Sequence, residues 1–160
     1  MALLDRLIKH EAMKVELYQC PANKWTIGVG RNVEEVGISN EELIWLFQNE
    51  GFIGGTGVHP CGLSRAGAMY LLASDVNRVI VELREKVPGF DQLIEARKQA
   101  LVDMCFNLGL SRFLRFKKLL AALANQDYDR AAEEMLDSRW AKQVGRRATA
   151  LATMMQNGSY

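Results

Sequence analysis

Apolar residues recur at helical spacing at the start of the chain, where Leu3, Leu4, Leu7 and Ile8 are set against Asp5, Arg6 and Lys9. The pattern predicts a short amphipathic helix over about residues 2–10, with Glu11 at or just past its C-terminal end. From Val15 the period changes. Leu17-Tyr18 and Trp25-Thr26-Ile27-Gly28-Val29 predict two strands joined through the turn-rich Pro21-Ala22-Asn23-Lys24, and a third short strand is expected at Val33. Gly28 and Gly30, on either side of Val29, point to bulging or close backbone approach. Ser39 and Glu42 form a capping box ahead of an apolar face of Leu43, Ile44, Leu46 and Phe47. Gly51 to Gly62, with five glycines and Pro60, reads as loop. Ser64 then caps a helix of more than twenty residues that carries Met69, Leu72, Val76, Val79, Ile80 and Leu83 and ends before Pro88. Helices are expected again at about 91–107, 111–124, 127–136, 138–141 and 145–156, with Asp127 as an N-cap.

The order of elements predicts an α+β fold, predominantly helical, in a single domain of 160 residues. A small antiparallel sheet lobe is expected over about 12–63 and a bridging helix over about 64–87. The helical lobe would cover about 88–160, joined by the N-terminal helix 2–11. Two lobes of different composition leave a cleft, and clefts hold ligands. A hydrophobic share of 49% with 24% charged residues excludes wholesale disorder.

A net charge of +1 argues against a dedicated nucleic-acid binder. The charge is unevenly spread, however: from Arg112 onward nine basic residues face five acidic ones. Such a region either meets an anionic polymer or is a solvated helix face. Cys20, Cys61 and Cys105 make an odd number without CxxC spacing, so reduced thiols are expected. His59-Pro60-Cys61 offers too few ligands for zinc, and no metal or other cofactor is expected. The N-terminus has a charge at its fifth residue and no apolar core of a signal peptide, and no run of eighteen apolar residues occurs. No stable membrane association is therefore expected, and a target outside the cell membrane requires separate delivery.

Taken singly, the candidate chemical residues have ordinary readings. Glu11 ends a helix, and its carboxyl is either a surface group or a partly desolvated proton donor. Cys20 precedes Pro21 and reads as a small hydrophobe at a strand end. Thr26 is a good strand former. Their spacing is less ordinary: Glu11, eight residues, Cys20, five residues, Thr26. This spacing resembles the catalytic triad of the bacteriophage lysozyme (endolysin muramidase) family of glycoside hydrolases, in its Cys form. Trp25-Thr26-Ile27-Gly28-Val29-Gly30 resembles the family's T-I-G-x-G strand, and Phe106-Asn107-Leu108-Gly109 its F-N-x-G segment. Ser138-Arg139-Trp140 with Arg146-Arg147-Ala148 resembles its C-terminal signature.

The resemblance implies a lysozyme-like two-lobed fold and hydrolysis of the β-1,4 bond between N-acetylmuramic acid and N-acetylglucosamine in peptidoglycan strands. It assigns Glu11 as general acid, with Cys20 and Thr26 activating or positioning water. Asn107 and Trp140 fall at sugar-subsite positions, although Trp140 equally suits core packing, and Arg147 falls where a buried arginine orients the acid. Where the family has Asp, this chain has Cys20; where its strand motif ends in His, this chain has Arg31. That His pairs with an acid on the long helix, so an Arg31–Asp75 ion pair is expected. The protein is expected to be a monomer that waits in the host cytoplasm and reaches the wall through a holin pore. The alternatives are a virion-associated lysozyme domain of a tail protein and a wall-binding protein that does not cut.

Overall fold

The computed structural model describes residues 3–20, 22–53 and 62–160. Pro21 and the His59-Pro60-Cys61 stretch therefore lie outside the described residues. The chain divides into two compact units, Ala2–Asp75 and Val76–Tyr160.

The first unit opens with helix α1 (Leu3–Glu11), one residue longer at its end than the apolar pattern alone predicts. Ala12, at φ 59°, leaves the helix in the left-handed region, and the chain turns directly into β1 (Lys14–Gln19). Strands β2 (Trp25–Gly28) and β3 (Arg31–Asn32) follow, then α2 (Asn40–Gln48), β4 (Phe52–Ile53) and β5 (Gly62–Leu63). They form one five-stranded antiparallel sheet in the order β3-β2-β1-β5-β4. The third strand stops one residue short of Val33. The glycine-rich segment expected as loop instead carries β4 and β5 at its ends.

Backbone pairing and close packing explain that difference, since neither strand has a residue pattern of its own. The Ser64 N–H donates to the Gly51 carbonyl at 2.7 Å. Gly67, in the first turn of the next helix, approaches Gly51 so closely that a Cβ would meet the Gly51 carbonyl oxygen. The capping box of α2 is present in full: Ser39 Oγ accepts from the Glu42 N–H, and Glu42 accepts from the Ser39 N–H. Ile27, Leu46, Leu63, Ala68 and Leu71 form the core of this unit.

Helix α3 (Arg65–Lys86) contains the boundary between the units. The second unit then carries α4 (Glu95–Leu108), α5 (Leu110–Phe113), α6 (Lys117–Ala124), α7 (Tyr128–Leu136), α8 (Arg139–Val144) and α9 (Arg146–Asn157). Helix α7 packs on α6 and α9, and α4 on α9, with Leu101, Met104, Phe113, Leu119, Met135 and Leu151 fully buried. Asp127 caps α7 as expected, accepting from the Arg130 N–H.

Two stretches expected as single helices are interrupted. Gly89, at φ 79°, opens a 3₁₀ turn (Phe90–Gln92), and Ile94 is extended, so α4 starts at Glu95. Between α5 and α6 the helix breaks where Arg112/Arg115 and Arg115/Lys118 would stand three residues apart on one face. Like charges at that spacing oppose a continuous helix. No helix among the described residues is long and apolar enough to cross a membrane.

Candidate active site

Glu11, Cys20 and Thr26 all lie in the first unit, on α1, at the end of β1 and within β2. Thr26 pairs directly across the strands with Tyr18, so the two side chains share one face of the sheet. The Tyr18 phenol responds to both the acid and the thiol. It is raised above the ordinary value by burial, and further by the negative charges of Cys20 and Glu11. The Lys14 ammonium sits 4.1 Å from the Tyr18 ring centre. Gly30, at φ 78°, lies beside the acid, and a Cβ there would stand 4.0 Å from Glu11 Oε2.

The hairpin turn after β1 is built around Cys20. Its N–H donates to the Lys24 carbonyl at 2.9 Å, and its carbonyl accepts from the Asn23 N–H at 2.8 Å. Asn23 reaches this position at φ 57°. The turn curls backbone donors around the sulfur. The N–H groups of Lys24 and Ala22 lower the Cys20 thiol below its ordinary value; burial opposes them, and the Thr26 hydroxyl and the residue's own N–H assist.

Thr26 is buried, and its hydroxyl also donates to the Lys24 carbonyl at 3.0 Å. A threonine hydroxyl has one proton and two lone pairs. It therefore donates either to Lys24 or to an ionised Cys20, and its oxygen accepts in both states. Cys105 is the opposite kind of thiol, fully buried and pushed up to about 12 by burial and by the charge of Glu82.

The contrast yields a direct expectation. In a Cys61→Ser protein at neutral pH, a neutral alkylating reagent should label Cys20 about 100-fold faster than Cys105, which reacts only on unfolding. Equal rates at the two thiols, followed by mass spectrometry, would remove the case for an activated Cys20.

The expected ion pair of Arg31 with Asp75 is part of a larger network. Arg31 Nε and Nη2 donate to the Asp75 carboxylate at 3.0 and 2.8 Å. Nη1 and Nη2 donate to Glu42 at 2.7 and 2.8 Å, and the carbonyls of Gly37 and Leu71 accept at 3.3 Å. Ser74 Oγ donates to Glu42 at 2.5 Å. Only a planar five-donor fork serves two carboxylates in this way, which a histidine cannot do. Arg31 is buried and fixes the turn that follows β2, next to Gly30.

Burial alone would raise the Glu42 carboxyl. Arg31, Ser74 and the Ser39 N–H outweigh it, and hold the group at about 2 rather than the ordinary 4.5. A depressed carboxyl stabilises the fold fully above its unfolded value and loses that contribution as pH falls through its folded value. Stability should therefore be level from neutral pH down to about 4.5 and fall steeply toward 2. Glu42→Gln should cost about 3–5 kcal/mol at neutral pH, because it leaves Arg31 partly unanswered, and should flatten that fall. Urea melts across this range check both; an acid slope unchanged in the variant would assign it to other carboxylates.

The remaining expected site residues lie in the second unit. Asn107, half-buried in the last turn of α4, accepts through Oδ1 from the Trp140 indole N–H at 2.9 Å. Trp140 is 4% exposed, so it packs in the core and also orients the Asn107 amide. Arg147 Nε donates to Asp103 Oδ1 at 2.8 Å, and Nη2 to the Asp103 carbonyl at 3.4 Å. Asp103 is fully buried and stands one helical turn before Asn107 on α4. Among the described residues no group of three or more His, Cys, Asp or Glu is arranged to hold a metal ion.

Residues 8–156, nearly the whole chain, match the phage lysozyme family. The chain belongs to that family. The probable T4-type lysozyme 2 of Dictyostelium discoideum is 27% identical over 165 residues, covering 99% of this chain and 95% of that protein. The probable T4-type lysozyme 1 of the same organism is 23% identical over 163 residues, with the same coverage. The pre-baseplate central spike protein Gp5 of Enterobacteria phage T4 is 21% identical over 99% of this chain, but that match covers only 28% of the spike protein. The α+β architecture agrees with a phage lysozyme fold, and membership supports a glycosidase directed at peptidoglycan.

Two features escaped the sequence reading, the N–H groups around Cys20 and the Asp103 partner of Arg147, and Glu42 was read only as part of a helix cap. Asp103 did leave a signal. An acid inside the apolar run Ala100-Leu101-Val102-Asp103-Met104-Cys105-Phe106 requires a buried partner.

Proposed function

We propose that this member of the phage lysozyme family is a muramidase that hydrolyses the β-1,4 bond between N-acetylmuramic acid and N-acetylglucosamine. The observation that carries the reading is the thiol of Cys20, lowered by a cradle of N–H groups and the Thr26 hydroxyl, with the Tyr18 phenol raised by the charges of both Cys20 and Glu11. In this mechanism Glu11 donates its proton to the glycosidic oxygen as the bond from the anomeric carbon breaks. A water molecule held by Thr26 attacks that carbon and gives up its proton to the Cys20 thiolate. One sugar leaves with the proton from Glu11 and the other with the hydroxyl of water. Within the first unit Arg31 supports the catalytic residues through Asp75 and Glu42; within the second, Asn107, oriented by Trp140, contacts the sugar chain, and Arg147 is held by Asp103.

The test follows the turbidity of permeabilised Gram-negative cells, or of purified peptidoglycan, with the native protein, Glu11→Gln and Cys20→Ser, each shown to be folded. Clearing by the native protein alone supports the assignment. Binding of peptidoglycan without clearing would replace the enzyme with a wall-binding protein, and a thioglycosyl adduct on Cys20 would replace water activation with direct attack.

In this reading the protein serves as an endolysin for host lysis, reaching the wall through a holin pore. Co-expression with a holin should lyse a culture that neither protein lyses alone. The match to part of a phage spike protein favours a second reading, a lysozyme domain carried on a virion. Recovery of the chain in purified particles would select it.

A further inference from the structure

A cavity of about 450 Å³ lies in the second unit, between the 3₁₀ turn that follows α3 and the connection from α6 to α7. Its volume falls in the range of small-ligand sites. Pro88, Leu93 and Leu123 supply an apolar wall, and Gln92, Gln126 and Tyr128 supply polar tips. None of the residues assigned above to catalysis or sugar contact lines it.

The unit is rich in charge, yet among the described residues no charged side chain lines this cavity. The charged residues next to the lining in sequence are committed elsewhere: Asp91 pairs with Arg84, Asp127 caps α7, and Asp129 accepts from the Gln156 amide. The Arg97 guanidinium sits 3.4 Å from the centre of the Tyr128 ring and is itself held by the carbonyls of Met155 and Gln156. That clamp fixes the half-buried ring, so a ligand meets it with little further loss of side-chain freedom.

The two glutamines contrast with this. Among the described residues neither side-chain amide makes a hydrogen bond within the protein. The Gln92 amide oxygen lies over Gly89, where a Cβ would stand 3.7 Å from it. Gln126 has φ 56°, in the left-handed region that glycine enters without steric cost. The chain therefore keeps an amide side chain at a strained position whose local geometry favours glycine.

Two amides and a phenol offer donors and acceptors but no charge to answer an ion. Phosphates and carboxylates gain no charge-assisted bond here. A wholly apolar ligand would leave the amides unanswered once water is excluded. A neutral sugar ring meets every requirement, with C–H faces for tyrosine, proline and leucine, and hydroxyl and acetamido groups for the amides.

We propose that this cavity is a second, non-catalytic saccharide site that takes neutral N-acetylhexosamine. For its natural ligand it rests on the muramidase reading, in which it holds an N-acetylglucosamine unit of the wall strand and keeps the protein on the polymer between cuts. It takes no part in bond breaking.

The experiment titrates chitotetraose, a neutral N-acetylglucosamine oligomer, into isotope-labelled Glu11→Gln protein and follows the side-chain amide signals by NMR. Those of Gln92 and Gln126 should shift and saturate together. Gln92→Ala and Gln126→Gly, each read on the glutamine that remains, should weaken this binding about threefold or more, the loss of one neutral hydrogen bond. Gln126→Gly should not lower the melting temperature, because glycine relieves the left-handed backbone. Shifts confined to other residues, or native affinity in both variants, would overturn the site. N-acetyl-tetraalanine amide is the control, and shifts of the same two amides with it but not with the sugar would make the cavity a peptide site.

On sacculi the double variant Gln92→Ala, Gln126→Gly should raise KM about threefold or more with kcat unchanged, since a second contact with the polymer is lost. On a soluble wall tetrasaccharide, whose few sugars are all taken up at the bond being cut, KM should stay native. An equal rise on both substrates would make the loss structural and overturn the site. Chitotetraose binding at the two amides of a protein that clears no wall would count against the muramidase reading and leave the site standing. Clearing of wall without those shifts would do the reverse.

Discussion

Glu11→Gln is expected to lower peptidoglycan hydrolysis by about 10²- to 10⁴-fold, the usual contribution of a positioned general acid. Glutamine keeps the size and hydrogen-bonding shape of the side chain but has no proton to give to the leaving oxygen. The loss should therefore fall on kcat, with KM and binding of sacculi close to native. Measuring both constants on soluble wall fragments separates this outcome from a general disturbance of α1, which would lower binding and thermal stability together. A Glu11→Gln protein that still clears wall at the native rate would end the acid assignment.

Cys20 should show itself through pH. A water-activating thiol acts as the thiolate, so the rising limb of the pH–rate profile should lie below the ordinary thiol range, in the direction set by Lys24, Ala22 and Thr26. Cys20→Ser has no ionised form at any working pH, and its rate should fall by about 100-fold throughout the profile. Cys20→Asp restores an anion that titrates near 4, so activity should return with its rising limb moved several units toward acid. A serine variant of native activity would leave Cys20 a packing role alone. An aspartate variant whose profile does not move would detach the rising limb from residue 20.

The two predictions depend on different kinds of information. The Glu11–Cys20–Thr26 spacing was legible in the chain because α1, β1 and β2 are consecutive and place the three residues in one unit. The lowering of the thiol was not legible. It depends on where the N–H groups of a five-residue turn point, and Asn23 in the left-handed region decides that. Glu42 makes the same point. Its capping box is written in the four residues from Ser39 to Glu42, whereas its bonds to Arg31 and Ser74 span 11 and 32 residues.

Periodicity, caps and turn residues by themselves determined the class of fold, the order of its main helices and the ends set by Ser39, Ser64 and Asp127, and the motif spacing pointed to the family. These features arise within a few residues, where backbone hydrogen bonds and side-chain periodicity act directly. Only the tertiary structure decided that the Gly51 and Gly62 ends of a glycine-rich segment pair as strands, and that the stretch from Leu110 to Ala124 breaks after Phe113. It also decided that Arg31 answers two carboxylates and that Asp103 holds Arg147. Each of these outcomes balances the cost of burying a charge or an amide against a partner distant in sequence, and the partner becomes available only when the chain has folded.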